Sequence, residues 1–181
     1  PPGALPGRGG VQLALQPKLA EGLPGVRDWW ARYPYSCLEQ QAGKAIGMQD
    51  AAAWRALTAR LPAYLDEDGL ASYFPPRAGE THSGSDVLTA HLLAAADEAA
   101  ALDPAMALPD AVRAPMEQAL VAFVEGRLQR KFWSPREDLP VRKLAAIAAL
   151  ARGGKAQARM LSAITIAPNQ WPTHAVLDWL A

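Results

Sequence analysis

The residues best suited to chemistry are a cysteine and a glutamine in the stretch Tyr33 to Gln41, YPYSCLEQQ. Cys37 is the only cysteine among the 181 residues of the chain. Gln40 follows three positions later, and residues three apart lie on the same face of a helix. The Cys37 sulfur is therefore expected within reach of the Gln40 side-chain carbonyl carbon. That geometry suits intramolecular acylation.

The same stretch predicts the start of a helix. Ser36 and Glu39 are spaced as in a capping box, where the serine hydroxyl accepts a backbone N–H group and the glutamate reaches back. We therefore expect Ser36 as the N-cap and Cys37 as the first helical residue. Unpaired N–H groups and the helix dipole at such a position favour the thiolate form of a cysteine.

Residues 33–40, YPYSCLEQ, resemble the thioester signature of the alpha-2-macroglobulin and complement family, in the CLEQ form of its bacterial members. Farther along, the DG pair at 68–69 and the SDVLTA segment at 85–90 are similar to a helical pair of the same family. In that family the cysteine sulfur and the glutamine side chain, after loss of ammonia, form an internal thioester. The resemblance implies the same bond between Cys37 and Gln40.

The resemblance implies a single-use, broad-spectrum protease inhibitor and not an enzyme with turnover. A thioester carbonyl is far more reactive than an amide, and it is useful only while water is kept away. In the family, an attacking protease cleaves a bait region, the thioester is exposed, and a lysine or hydroxyl is acylated. The implied location is the periplasm, and the implied partners are attacking proteases and neighbouring domains of a longer parent chain. Membrane anchoring of the parent stays open.

Further residues are candidates for supporting roles. Tyr33 and Tyr35 are expected to supply apolar cover for the thioester. Some family members pass the acyl group to hydroxyls through a downstream histidine, and His82 is the nearest candidate, with a solvated loop residue as the alternative. His91, on an apolar helix face, is expected in the core or at its rim, and His174, beside a helix cap, at the surface.

Two features depart from the family pattern. Ser36 and Leu38 stand where animal members commonly carry glycine. About 30 residues separate Cys37 from the DG pair at 68–69, which is short by one or more helices. The implied fold is an α/α toroid that extends to residue 181, and it need not be complete.

Two functions from other classes stay open. One is a non-reactive helical protein-interaction module in which Cys37 is a free buried thiol, because free cysteine is among the most buried residue types. The other is an enzyme that uses the Cys37 thiolate on an external acyl substrate, which needs a base beside the sulfur. The sequence around Cys37 carries none of the local signatures of cysteine peptidases.

Composition argues against several classes of function. Lys plus Arg and Asp plus Glu number 18 each, so the formal net charge is zero and nothing favours nucleic acid or an anionic membrane as partner. The longest nearly apolar run, at 144–151, is far shorter than the roughly 20 residues that cross a bilayer. One cysteine and no spaced histidine set predict no disulfide, metal or cofactor. The acidic run at 66–68 is expected to be a solvated turn.

The elements that must position the cysteine and glutamine are almost all helical. Residues 1–24 are interpreted as a linker, in which the alternation VQLAL at 11–15 predicts a short strand associated with a neighbouring domain. From 25 to 181, apolar residues recur at helical spacing between turn residues, including a short helix at 155–163. A loop rich in Pro, Gly, Ser and Thr covers 69–84. The sequence therefore predicts an all-α stack of antiparallel helical hairpins.

Overall fold

The computed structural model of the chain describes residues 15, 24–77, 83–129 and 138–180. Within these ranges the protein is all-α, as predicted, and no strand is present. The same ranges contain α1 (Pro24–Arg32), α2 (Leu38–Gly47), α3 (Ala51–Arg60), α4 (Asp86–Leu102), α5 (Asp110–Val124), α6 (Leu139–Arg152) and α7 (Thr173–Leu180). Shorter 3-10 helices cover Leu61–Tyr64, Pro104–Met106, Ala158–Ala163 and Pro168–Gln170.

The chain divides into two compact units, Pro1–Pro34 and Tyr35–Ala181. The described part of the first unit is mainly α1 and the residues just after it. Tyr33 follows Trp29 and Trp30 by four and three residues, so its ring reaches both, with centroid distances of 4.7 and 5.5 Å. Leu15, the last residue of the predicted strand, is described and has no regular secondary structure; the rest of the strand and nearly all of the predicted linker lie outside the described residues.

Two helices of the second unit begin at N-cap residues whose side chains accept backbone N–H groups. Asp50 caps α3, because its Oδ1 accepts the backbone N–H groups of Ala52 and Ala53 at 3.1 and 2.9 Å. Ser85 caps α4 through the N–H of Leu88, at 3.2 Å. These side chains satisfy N–H groups that have no partner within the helix.

The core of the second unit forms around α4, which packs against α2, α5 and α6. Its buried apolar side chains are Leu88, Ala90, Leu92, Leu93, Ala96 and Ala99. The alanines allow close approach of neighbouring helices, and the leucines fill the space between them. Burying one leucine side chain stabilises the fold by about 2 kcal/mol. Three helices of this unit, α2, α5 and α6, are therefore assembled on α4.

One helical prediction is wrong in type and length. The pattern predicts an α-helix over 155–163, but the structure has a 3-10 helix over Ala158–Ala163. Gly154, with φ of +67°, turns the chain after α6, and Pro168 begins another short segment. Met160 is the one buried residue of this 3-10 helix, so packing gives little support to the apolar stripe that an α-helix needs here.

The last helix, α7, is attached to α6 by Trp179. Its indole N–H donates to the carbonyl oxygen of Leu144 at 3.2 Å, and its ring meets Trp171 at a centroid distance of 5.1 Å. Ala175 is fully buried and Val176 is half-buried. Ala175, Val176 and Trp179 therefore form the inward face of this helix.

The two described histidines lie at the surface. His174 is exposed, as predicted. His91 is also exposed, so its expected place in the core or at its rim is wrong. The reason is that Leu92 and Leu93 take the inward sectors of that turn of α4 and leave His91 the outward one. In the described ranges, no helix combines the length and apolar character needed to cross a membrane.

A buried carboxylate, Asp86, joins the start of α4 to α6. It pairs with Arg142 at 3.1 Å, and Arg142 also lies 2.8 Å from a carboxylate oxygen of Asp138. Burial raises the pKa of Asp86, and the attraction of Arg142 offsets this only in part. Because the pKa is higher in the folded than in the unfolded protein, this group favours folding most below its unfolded pKa. That contribution is lost as the pH rises through the folded pKa.

We therefore expect Asp86→Asn, which cannot ionise, to gain stability relative to the wild type as the pH rises from about 4 to about 7. The free energy of unfolding is measured by urea denaturation at several pH values. Asp110→Asn is the matched control, since Asp110 is an exposed carboxylate at the first position of α5. A difference between wild type and Asp86→Asn that stays constant with pH would contradict the prediction.

Candidate functional site

The N-terminus of α2 is built by the predicted pair itself. Cys37 is the N-cap residue, with φ of −65° and ψ of 162°, and Gln40 is the third helical residue. The Gln40 side-chain oxygen Oε1 accepts the backbone N–H of Cys37 at 3.2 Å. In return the Cys37 side chain faces the backbone N–H of Gln40, which completes a capping box. The side chain of each residue is therefore directed at the backbone N–H of the other.

The capping box predicted from Ser36 and Glu39 is wrong by one residue. Ser36 is exposed, and Glu39 is exposed in the first turn, where its charge suits the helix dipole. Leu38 is fully buried, and its N–H donates to the carbonyl oxygen of Tyr73 at 2.8 Å. This long-range contact makes Leu38 the first helical residue and leaves Cys37 as the cap. No pattern of spacing could reveal it.

The second glutamine, Gln41, is bound to other partners. Its Nε2 donates to the Ser36 carbonyl oxygen at 2.6 Å and lies 3.4 Å from the Tyr64 hydroxyl. Its Oε1 accepts from Arg60 at 3.0 Å. Spacing alone would also allow this side chain to approach Cys37, because residues four apart share a helix face. The tertiary contacts distinguish the two glutamines.

Tyr73 adds a phenol to the site that the sequence analysis missed. Its backbone bond to Leu38 places this loop residue beside the start of α2. Burial, followed by the negative charges of Glu39 and Cys37, raises the pKa of Tyr73. The phenol is therefore protonated at neutral pH. The sequence signal for it was weak, an apolar pair at 70–71 that opens a polar loop.

Asp66 joins the two ends of this loop. Its Oδ1 accepts the N–H groups of Asp68 and Leu70 at 3.1 and 2.9 Å, and its Oδ2 accepts that of Gly84 at 2.8 Å. The residue is 7 % exposed. The predicted solvated turn at 66–68 is therefore wrong for Asp66, because this carboxylate is buried and satisfied by backbone donors.

The far end of the loop is fixed by Gly84 and Thr89. A Cβ atom on Gly84 would lie 2.3 Å from the carbonyl oxygen of Leu70, so no other residue fits there without movement of the backbone. Thr89 Oγ1 accepts the N–H of Ala71 at 2.8 Å and donates to the carbonyl oxygen of Ser85 at 2.6 Å. The start of α4 thus holds the part of the loop that leads to the phenol.

The other predicted site residues have different placements. Tyr35 belongs to the second unit and is 66 % exposed. Tyr33 belongs to the first unit, and His82 lies outside the described residues. Their roles as cover and as acyl-transfer residue stay predictions. Among the described residues, no group of three or more potential metal ligands occurs.

Comparison with known proteins gives no match. No protein-family model matches the chain, and neither a curated protein nor a solved structure is significantly similar to it.

We expect Asp66→Ala to destabilise the chain strongly. The substitution leaves buried N–H groups without their acceptor, and each such group costs about 1–3 kcal/mol, so the free energy of unfolding should fall by about 3 kcal/mol or more. Urea denaturation of the 181-residue chain measures it. Glu67→Gln, at an exposed position of the same turn, is the control and should stay within about 0.5 kcal/mol of wild type. Equal stability of the two variants would refute this role of Asp66.

Proposed function

We propose that this chain is the thioester domain of a bacterial alpha-2-macroglobulin-like protease inhibitor, in which Cys37 and Gln40 form an internal thioester. The observation that carries the proposal is the return of the Gln40 side chain to Cys37 across one helical turn, with 3.2 Å between Oε1 and the backbone nitrogen. The signature at residues 33–40 supports the same pair.

The proposed bond forms by acyl transfer within the pair. The Cys37 thiolate attacks Cδ of Gln40, the bond from Cδ to Nε2 breaks, and ammonia leaves with the thiol proton. A lysine amine or a hydroxyl of an attacking protease later adds to the same carbon. The carbon–sulfur bond then breaks, which leaves an amide or ester at Gln40 and a free thiol at Cys37. The reaction occurs once per molecule, as in a covalent trap and not in an enzyme.

A thioester of this kind must be protected from water until it is used. Cys37 is only 8 % exposed, but Tyr35 and Phe74 are 66 % and 62 % exposed in the same unit. Exposed aromatic side chains are suited to burial against another surface. We propose that neighbouring domains of the parent chain cover them until a protease cleaves a bait region.

The finer architecture and the location belong to the same proposal. The helices within residues 25–181 are proposed to form an α/α toroid, complete or partial, in which helical hairpins close into a ring. The proposed compartment is the periplasm, where attacking proteases are the covalent partners. Support for these features comes from the resemblance of residues 33–40, 68–69 and 85–90 to the family.

A second candidate function is a non-reactive helical protein-interaction module. The low exposure of Cys37 favours it, because a buried free thiol usually serves packing. In that function the Gln40 side chain acts only as a helix cap. The two candidates differ in whether a covalent bond forms between the two side chains.

The test is the intact mass of the natural polypeptide that contains these residues, purified without exposure to amines or proteases. We expect a mass lower by one ammonia than the sequence requires and no titratable thiol. Methylamine should add its own mass and release the Cys37 thiol, since an amine opens a thioester.

Cys37→Ala and Gln40→Ala each remove a reacting group and should show neither change. Gln118→Ala, at an exposed position of α5, is the matched control and should behave like the wild type. A wild-type protein with its full calculated mass and a reactive thiol would instead support the interaction module.

A further inference from the structure

One peptide unit lies between two glutamine side chains at the start of α2. Its carbonyl oxygen, on Ser36, accepts from Nε2 of Gln41 at 2.6 Å. Its N–H, on Cys37, donates to Oε1 of Gln40 at 3.2 Å. The Gln41 amide is anchored in turn, since its Oε1 accepts from Arg60 at 3.0 Å. A continuous chain of hydrogen bonds thus runs from the end of α3 to the side chain of Gln40.

From this chain of bonds we propose that Gln41 is a positioning residue for the thioester chemistry. The Gln41 side chain holds the Ser36–Cys37 peptide so that the Cys37 N–H points at the side-chain oxygen Oε1 of Gln40. That N–H stabilises the negative charge that develops on the oxygen during acyl transfer. The inference rests on the proposed function and adds a residue outside the reacting pair.

Peptide planarity couples the two glutamines. In a trans peptide the C=O and N–H bonds lie in one plane and point in opposite directions. A hydrogen bond that fixes the Ser36 carbonyl therefore also fixes the direction of the Cys37 N–H. The bond from Gln41 polarises the peptide as well, which strengthens its N–H as a donor.

The partners of Gln41 determine the orientation of its amide. The Arg60 guanidinium can only donate, and the Ser36 carbonyl can only accept. The arrangement with Oε1 toward Arg60 and Nε2 toward Ser36 satisfies both, and the flipped amide satisfies neither. Arg60 is held at the end of α3, where its Nε donates to the carbonyl oxygen of Ala56 at 3.2 Å. The Tyr64 hydroxyl lies 3.4 Å from Nε2 on the other side.

The Cys37 N–H is placed to act on both formation and opening of the thioester. In each direction a nucleophile adds to Cδ of Gln40, and the carbonyl oxygen becomes an oxyanion. Formation then expels ammonia, whereas opening expels the Cys37 thiolate, which takes up the proton lost by the attacking amine. A donor already in hydrogen-bond contact binds more strongly as the charge develops, because charge-assisted bonds are about twice as strong.

The test compares how fast methylamine opens the thioester in the natural polypeptide and in its Gln41→Ala, Arg60→Ala and Arg60→Lys variants. Release of the thiol is followed at a fixed pH and amine concentration. We expect Gln41→Ala and Arg60→Ala to open about tenfold more slowly, as is common when an orienting partner is lost. Arg60→Lys should recover most of the rate, because an ammonium group also donates to Oε1 of Gln41. Gln118→Ala is the control and should match the wild type.

The direction of the change separates positioning from simple loosening. A variant that only loosens the site admits water and amine and opens faster, whereas loss of oxyanion stabilisation slows opening. Arg60 is exposed, so Arg60→Ala carries the test if Gln41→Ala accumulates poorly. Opening at the wild-type rate or faster in the Gln41 and Arg60 alanine variants would overturn the inference.

The intact mass of the wild-type protein tests the proposed function separately. A wild-type protein whose mass shows no loss of ammonia has no thioester, and this result would refute both proposals. A wild-type thioester that opens no faster than that of Arg60→Ala would refute the positioning role alone.

Discussion

The hydrogen bond from the Cys37 N–H to the side-chain oxygen of Gln40 is the interaction on which the site depends. A helix N-terminus leaves backbone donors without partners inside the helix, so a side chain or water must satisfy them. Here the side chain that returns is the amide proposed to acylate the Cys37 sulfur, and the N-cap residue carries the thiol. Helix capping and the proposed chemistry therefore require the same conformation. Formation of α2 brings the Gln40 amide to Cys37 without a separate ordering step.

The surroundings of this cap come from distant parts of the chain. Asp66 gathers backbone donors from both ends of the loop before α4, and Thr89 holds the loop from the start of that helix. Such buried polar groups stabilise a fold only when all partners are present. The loop in turn supplies the Tyr73 carbonyl to Leu38 and so determines where α2 begins. The site is thus formed jointly by one helix start and one ordered loop.

Sequence reasoning succeeded where a signal is local and failed where competing local signals exist. Asp50 and Ser85 are residue types favoured as N-caps, and each caps the apolar helical run that follows it directly. At α2 the spacing from Ser36 to Glu39 and that from Cys37 to Gln40 are the same, and propensity favours serine as the cap. The packing of Leu38 decided between them. Burial of Asp66 was missed for the same reason, since its donors include an N–H from the far end of the loop.

The sequence by itself determined the all-α class, most of the helix positions and the spacing of Cys37 and Gln40. Apolar periodicity and capping residues act within a few positions of the chain, so they can be read without knowledge of the fold. The tertiary structure alone decided that the Gln40 side chain bonds the Cys37 backbone N–H while Gln41 is bound to Arg60 and the Ser36 carbonyl. Both glutamines have helical spacing from Cys37. Arg60, at the end of α3, binds the Gln41 side chain, and the Gln40 side chain pairs with Cys37.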